Sequence, residues 1–362
     1  MRKVSMSVYA LLLVVCAAEA KEPPRTKFDG KFVDDFITAA MKRDGIPGAA
    51  FVFVKDGRIV YMKGYGVGNV ETKSPVDPER TVWRIGSISK TFTATAVMQL
   101  ADRGVVDVRA DVNRYLTRVK VPDTYPLPVT VADLLMHTAG FDEIRPGTQA
   151  ASADGVLPLD EFLRTKLVRV RPPGTTLAYS TYGITLAGAL VEDVTHQPFA
   201  GYLHDHVFAP LGMTRTNVGA PPAGDVAVGY EMRDGKPEAQ AWEWYHTTPA
   251  SSVNSTVADM AKYMIAHLDQ MGGKLFSPAT AKEMHRQHLT ADPHVTGVTL
   301  GFWEDSDGSL RVIEHGGNMA GFSAQMTLIP SDNAGFFVIS HLEGSHLRDD
   351  LKWGLLEHLY PA

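Results

Sequence analysis

The stretch Trp83-Arg84-Ile85-Gly86-Ser87-Ile88-Ser89-Lys90, continued as TFTATAVMQLA to residue 101, decides how this chain is interpreted. Apolar residues recur at helical spacing after the lysine, so we expect a helix that begins near Ser87. Lys90 is the only charged residue between Arg84 and Asp102, and a lone lysine in so apolar a helix is expected to be buried. Residues three apart share one helix face, so the Lys90 ammonium is predicted to reach the Ser87 hydroxyl.

A serine and a lysine in this arrangement can perform acyl transfer. The hydroxyl is a poor nucleophile until a base takes its proton, and a lysine held away from water can supply a neutral amine for that step. The helix N-terminus also favours the negative charge that develops there. Taken alone, however, S-x-x-K occurs by chance in many chains, and it more often marks a serine that caps a buried helix and a lysine that snorkels to its edge.

Two further segments supply parts that acyl transfer requires. Pro172-Pro173-Gly174 turns the chain into Tyr179-Ser180-Thr181, where the tyrosine can relay the serine's proton to a leaving group. Near the C-terminus, a predicted strand ends in His315-Gly316-Gly317-Asn318, whose glycines let a substrate backbone approach closely. A main-chain N–H at this strand end can point at the forming oxyanion.

The two ends of the chain predict one antiparallel sheet. Helical spacing over residues 32–41 predicts a first helix that Gly45 ends as a C-cap. Two β-branched runs follow, which Asp56-Gly57 joins as a hairpin. A closing helix carries an apolar stripe from Leu347 to Leu359. The expected strands lie at residues 49–55, 58–64, 310–315, 321–328 and 335–341. We therefore predict an α+β fold, an α/β/α sandwich in which helices flank a sheet built from N- and C-terminal segments.

The region between these ends has mainly helical patterns broken by Pro-Gly and Gly-rich turns. We interpret it as a mainly helical lobe, at about 105–291, inserted into the sheet lobe. The sheet lobe is then formed by residues from about 28–104 and about 292–362.

Residues 1–20 have the composition of a secretory signal peptide. Arg2 and Lys3 precede an apolar run, and Ala18-Glu19-Ala20 fits the small-x-small pattern of a cleavage site. That run is too short to cross a bilayer and no other stretch is long enough, so no transmembrane segment is predicted. We expect export to the periplasm or the extracellular space after cleavage near Ala20, which leaves residues 21–362 as one hydrolase domain.

Composition narrows the class of partner. The formal net charge is -6, and both signs are mixed without long basic runs, which argues against a nucleic-acid partner. The single cysteine, Cys16, lies in the predicted signal, so no disulfide or cysteine-based metal site is expected. Lipidation of Cys16 is disfavoured because the bulky Val15 precedes it. His204 and His206 are not interpreted as a metal pair, because residues two apart on a helix point to different sides.

Together these features resemble the serine β-lactamase-related superfamily, in particular class C β-lactamases, D-alanyl-D-alanine carboxypeptidases and β-lactamase-like esterases. The resemblance runs from about Phe32 to the C-terminus. It rests on three motifs in the family's order: S-x-x-K at 87–90, the tyrosine motif at 179–181 and H-x-G at 315–317. Segments 134–141 and 210–213 are also typical of the superfamily.

The resemblance implies a serine hydrolase that needs no metal and no organic cofactor. Ser87 attacks the carbonyl, and Lys90 and Tyr179 share the general-base and general-acid work. The oxyanion sits between the backbone N–H groups of Ser87 and Asn318, and a water then hydrolyses the acyl-enzyme. The oxyanion and substrate-binding residues that the resemblance implies are Asn318, His315, Gly316, Gly317 and Thr181.

The chain departs from the family pattern at three places. Thr181 stands where an asparagine is usual, and a hydroxyl offers one hydrogen-bond donor where the amide offers two. His315 stands where true β-lactamases usually carry the lysine of K-T-G, and a neutral imidazole attracts a carboxylate less strongly. Residues 250–253 replace a Gly-Gly pair that is common in relatives. The first two departures argue against efficient β-lactam turnover.

Three functions are therefore considered. The first is an exported hydrolase, esterase-like or D-peptidase-like, that cleaves a small ester or a D-amino-acid peptide through acyl-Ser87. The second is a class C-type β-lactamase or penicillin-binding protein acting on a β-lactam. The third is a catalytically silent relative that only binds ligands, which the intact Ser87, Lys90 and Tyr179 oppose. No pattern in the sequence fixes an oligomeric state.

Overall fold

A computed structural model describes residues 26–144, 146–221, 224–268, 273–292, 295–308 and 310–361. The predicted signal peptide at residues 1–20 lies outside these described residues. Within them, no helix combines the length and the apolar character that a membrane crossing requires.

Helices and strands both occur throughout the described chain. In chain order the helices are α1 (Gly30–Asp44), α2 (Ser89–Asp102), α3 (Val131–Leu135), α4 (Leu159–Leu163), α5 (Thr181–Thr195), α6 (Phe199–Leu203), α7 (Ala209–Leu211), α8 (Thr248–Ser251), α9 (Val257–Leu268), α10 (Pro278–His285) and α11 (Leu347–Leu359). The strands are β1 (Gly48–Lys55), β2 (Arg58–Asn69), β3 (Ser74–Pro75), β4 (Trp83–Arg84), β5 (Gln149–Ala150), β6 (Asn217–Val218), β7 (Tyr230–Arg233), β8 (Lys236–Ala239), β9 (Trp244–Tyr245), β10 (Val253–Ser255), β11 (Trp303–Asp307), β12 (Leu310–Met319), β13 (Phe322–Ile329) and β14 (Ala334–Ser340).

A seven-stranded sheet joins the two ends of the chain in the order β11-β12-β13-β14-β1-β2-β3. Strand β1 pairs antiparallel with both β2 and β14, and Ala49 lies opposite Ser340 in the second pairing. The predicted antiparallel sheet of N- and C-terminal segments, within an α+β fold, is confirmed.

Local signals set the ends of the first elements. Gly45 adopts a left-handed conformation (φ 69°) and its N–H donates to the Met41 carbonyl, which ends α1 where the sequence predicts. Asp56 and Gly57 both have positive φ, 52° and 73°, as the tight turn between β1 and β2 requires.

Helices cover both faces of the sheet. On one face, α1 and α11 pack against β1 and β14 in a cluster that includes Val33, Phe51, Phe336 and Leu355. Burial of each such side chain contributes about 2 kcal/mol to the stability of the folded protein, so the leucine stripe at the end of the chain holds α11 firmly on the sheet. On the other face α2 and α9 pack in a larger core, where Phe92 of α2 stacks on Tyr263 of α9 with ring centroids 3.9 Å apart.

The sheet differs from its prediction at two strands that bear on the site. Strand β12 continues to Met319 instead of ending near His315, because Gly316 and Gly317 keep their ladder positions opposite Gln325 and Ala324 of β13. Strand β11 was not predicted. Its sequence, WEDSD, has low β-propensity, and its pairing with β12 is a tertiary interaction that local pattern does not reveal.

Candidate active site

Ser87 lies in a short 3₁₀ turn, Gly86–Ile88, that leads directly into α2. The next serine fixes this turn: the Ser89 hydroxyl donates to the Gly86 carbonyl (2.6 Å) and accepts from the Val253 N–H (3.0 Å). Strand β10, which contains Val253, also pairs with β4, the strand that enters the turn. The backbone around the serine is therefore held from both sides.

Lys90 lies behind Ser87 in the protein interior. Its side chain is 1% exposed, and its Nζ donates to Ser87 Oγ at 3.0 Å and to the Ala250 carbonyl at 2.9 Å. Thr93, one turn further along α2, donates to the adjacent Pro249 carbonyl (2.6 Å). Helix α8 therefore aims the amine at the serine.

Tyr179 occupies the open side of this pair. Its ring centroid is 4.9 Å from Lys90 Nζ, and the residue is 39% exposed. Two other aromatic side chains flank it, His137 at 4.5 Å and Trp303 at 6.1 Å between ring centroids. His137 lies in the segment 134–141, to which no catalytic role was assigned from the sequence, and Trp303 belongs to strand β11, which was not predicted.

The glycine-bearing strand β12 packs directly on the nucleophile turn. A Cβ atom on Gly317 would lie 2.0 Å from the Ile85 carbonyl oxygen, and one on Gly86 would lie 2.7 Å from the Asn318 carbonyl oxygen. Such contacts are possible only without side chains. They place the Asn318 backbone against the residue that precedes Ser87.

His315 is buried beside the pair and is 2% exposed. Its Nδ1–H donates to the Gly316 carbonyl (2.7 Å), and no partner for Nε2 is found within the described part of the chain. Burial, reinforced by the charge of Lys90, lowers the pKa of His315 to about 3. The ring is therefore neutral at physiological pH.

His137 is also buried and neutral. Burial, and then the nearby charge of Lys90, lowers its pKa to about 3. Its Nδ1 accepts a hydrogen bond from the Ser180 N–H (3.2 Å), which only a deprotonated Nδ1 can do.

These two histidines predict a loss of stability in acid. Their folded pKa values lie below the unfolded value near 6.5, so the unfolded chain binds more protons as the pH falls through that value. The free energy of unfolding is expected to decrease below about pH 6.5, approaching about 1.4 kcal/mol per pH unit for each histidine until about pH 3. Urea unfolding at several pH values measures this slope. His315→Gln should reduce it by one histidine's share, and an unchanged slope would contradict the assignment.

The site opens into a cleft of about 1290 Å³. Of the predicted residues, Ser87, Tyr179, Thr181, His315, Gly316 and Asn318 line the cleft, whereas Lys90 and Gly317 are packed behind it. Among the described residues, the charged ones that line it are Glu143, Glu243, Glu343 and Arg348.

Two of these charged side chains hold parts of the site. Glu143 accepts from the backbone N–H of Thr181 (2.9 Å), at the first turn of α5. Arg348 of α11 donates from Nη1 to the Asn318 side-chain oxygen (3.0 Å). Both lie in segments that carry no motif, so nothing in the sequence pattern singled them out.

Glu243 and Tyr245 form a wall of the cleft that Arg84 holds in place. The Arg84 guanidinium lies 4.6 Å from the Trp242 ring centroid and donates to the Glu243 carbonyl (2.9 Å). Tyr245 lines the cleft, and its hydroxyl donates to the Glu243 carboxylate (2.8 Å). Arg84 adjoins the nucleophile turn, so this wall and Ser87 share one support.

Comparison with known proteins shows which protein family this chain matches. The profile of the family described as Beta-lactamase matches residues 33–359. Protein flp of Staphylococcus aureus is 25% identical over 341 residues, which cover 90% of this chain and 65% of that protein. The chain thus spans about two-thirds of that relative's length.

Two further similarities involve a β-lactamase and a solved structure. A Beta-lactamase of Lysobacter lactamgenus is 27% identical over 271 residues, covering 73% of this chain and 66% of that protein. The structure of the octameric penicillin-binding protein homologue from Pyrococcus abyssi superposes with a TM-score of 0.80 at 26% identity. The match covers 92% of this chain and 78% of that one.

Proposed function

Because the chain belongs to the beta-lactamase family, whose members are serine hydrolases, we propose that it cleaves an ester or a peptide-like amide through an acyl-Ser87 intermediate. The observation that carries the proposal is the 3.0 Å hydrogen bond between Ser87 Oγ and the buried Lys90 Nζ. A buried lysine whose amine is held against a serine hydroxyl provides the base that nucleophilic attack requires.

The proposed reaction has two halves. In the first, Lys90 and Tyr179 take the Ser87 proton as Oγ bonds to the substrate carbonyl carbon, and the leaving group departs with that proton. The oxyanion is stabilised by the backbone N–H groups of Ser87 and Asn318. In the second half, the same residues take a proton from a water that attacks the acyl carbon, and they pass this proton to Ser87 Oγ as the acyl bond breaks and the acid product leaves.

The lining of the cleft supports a neutral ester over a β-lactam. The β-lactam carboxylate would meet a neutral His315 instead of a lysine, and it would share the cleft with the carboxylates of Glu143 and Glu343. Among the lining residues that the structure describes, Arg348 is the cation, and its guanidinium is engaged with Asn318 and lies 3.3 Å from Asp349. We therefore rank esters first, D-amino-acid peptides second and β-lactams third.

The ranking is tested by comparing kcat/KM for a short-chain nitrophenyl ester, a D-alanyl-D-alanine peptide and a chromogenic cephalosporin. Ser87→Ala is the blank for all three. Ser87-dependent ester hydrolysis that exceeds cephalosporin turnover supports the proposal. A cephalosporin cleaved far better than the ester and the peptide would favour the β-lactamase alternative, with which the similarity to the Lysobacter protein agrees.

Thr181 offers a matched test of the same ranking. Replacing it with asparagine restores a second hydrogen-bond donor at the start of α5. We expect Thr181→Asn to raise kcat/KM for cephalosporin by about tenfold, as one added hydrogen bond allows, with a smaller change for the ester. Thr181→Val, which retains the shape and removes the donor, is the control. Equal effects of both variants on both substrates would contradict a selective role for this position.

Export is proposed from residues 1–20 alone. The mature protein is then expected to begin near Lys21. N-terminal sequencing of protein from the periplasmic fraction and the medium tests this, and a chain that retains Met1 in the cytoplasm would refute it.

A further inference from the structure

The segment His137–Gly140 serves as a hydrogen-bonding template for the loop that carries Tyr179. The Gly140 carbonyl accepts from the Val170 N–H and the Thr138 carbonyl accepts from the Gly174 N–H, both at 2.9 Å. The fit is tight, because a Cβ atom on Gly140 would lie 2.2 Å from the Arg171 carbonyl oxygen. Backbone hydrogen bonds to this segment therefore run along the loop from Val170 to Gly174, towards the tyrosine.

His137 completes this template on both sides of Tyr179. Its carbonyl accepts from the Ala178 N–H (2.9 Å), and its Nδ1 accepts from the Ser180 N–H (3.2 Å). One residue thus binds the neighbours that precede and follow the tyrosine. His137 adopts a left-handed backbone conformation (φ 59°), which is uncommon for a residue other than glycine.

The imidazole also contacts the tyrosine ring itself. The His137 and Tyr179 ring centroids are 4.5 Å apart, and the nearly parallel Trp303 ring lies 5.7 Å from His137. Tyr179 is therefore held both through its backbone neighbours and through its ring. Lys90 Nζ lies 4.9 Å from the centroid of this ring. His137 does not itself line the cleft.

We propose that His137 is a positioning residue for the reaction, holding Tyr179 in register with Lys90 and Ser87 through the Nδ1 hydrogen bond and the ring contact. This inference rests on the proposed function. The low pKa of His137 agrees with it, because protonated Nδ1 would be a donor facing the Ser180 N–H donor.

Two variants separate the hydrogen bond from the backbone conformation. Asparagine and glycine both tolerate positive φ, but only asparagine can place an acceptor near the position of Nδ1. We expect His137→Gly to lower kcat for the nitrophenyl ester by about 10- to 100-fold with KM changed less than about threefold, because small displacements of a reacting group act on the chemical step. His137→Asn should recover most of that loss.

A double-mutant cycle with Tyr179→Phe tests whether His137 acts through the tyrosine. If it does, His137→Gly should cost little or nothing further once the phenol is absent. Full additivity of the two losses would overturn the proposal, and so would a His137→Gly enzyme with the wild-type kcat or a Tyr179→Phe enzyme as active as wild type. Melting temperatures of all four proteins show whether a lower rate reflects unfolding.

Failure of the underlying function is distinguishable from failure of this inference. If the wild-type protein shows no ester hydrolysis that depends on Ser87, the proposed function itself is wrong, and the inference is overturned with it. If hydrolysis depends on Ser87 but the cycle is additive, only the role of His137 is wrong.

Discussion

Replacing Lys90 with methionine is expected to reduce kcat for ester hydrolysis by about 10³-fold, because the variant lacks the base for the Ser87 hydroxyl. Methionine fits the buried site and has no charge to desolvate, which offsets the lost hydrogen bond to the Ala250 carbonyl, so the variant should still fold. Lys90→Arg should be similarly inactive, since a guanidinium stays protonated and cannot accept the proton. Steady-state rates and melting temperatures measured together test both variants.

Thr93→Val is the matched control for Lys90. Both side chains leave α2 and donate to neighbouring carbonyls of α8, those of Pro249 and Ala250. The control therefore removes one of the two hydrogen bonds between these helices while leaving the amine in place. We expect Thr93→Val to lower the melting temperature yet retain kcat within about threefold, since it leaves the reacting groups intact. A Lys90→Met enzyme as active as this control would show that Lys90 is structural.

Gly317→Ala is expected to reduce kcat by about 10²-fold or more, the usual cost of losing one oxyanion donor. The new methyl group would lie 2.0 Å from the Ile85 carbonyl oxygen, and backbone cannot yield as a side chain can. Strand β12 must then move away from the nucleophile turn, which separates the Asn318 N–H from the Ser87 N–H. The loss should appear in kcat more than in KM, because the oxyanion forms only during reaction.

Gly316→Ala provides the control one residue earlier in the same strand. Its methyl group would meet only the ends of two side chains, Gln325 Oε1 at 3.1 Å and Arg348 Nη1 at 3.2 Å, which can move aside. We expect its loss of kcat to be at least tenfold smaller than that of Gly317→Ala, since no backbone is displaced. Equal losses for the two variants would contradict the assignment of the oxyanion site to this contact.

Much of the fold was predictable because its signals are local. Asp56-Gly57 fixes the first hairpin through two positive φ values, Gly45 ends the first helix, and the leucines of 347–359 mark the last. The S-x-x-K spacing is equally local, since residues three apart on one turn must face the same way. Each of these predictions needed only a few neighbouring residues.

The surroundings of Tyr179 were not predictable from local pattern. Four segments far apart in sequence bring Lys90, His137, Tyr179 and Trp303 together, and no periodicity encodes such a contact. Trp303 was missed because it begins a polar edge strand that only tertiary pairing stabilises. The end of β12 was misplaced for a related reason: adjacent glycines are a signal for ending a strand, yet here they are what allows the strand to press against the nucleophile turn.

The central claim is an acyl-enzyme at Ser87, and intact-protein mass measured after incubation with a fluorophosphonate tests it most directly. We predict one added phosphonyl group per chain, located by peptide mapping to the peptide that contains Ser87 and absent from Ser87→Ala. A folded wild-type protein that remains unlabelled, or a label that persists in Ser87→Ala, would contradict the account.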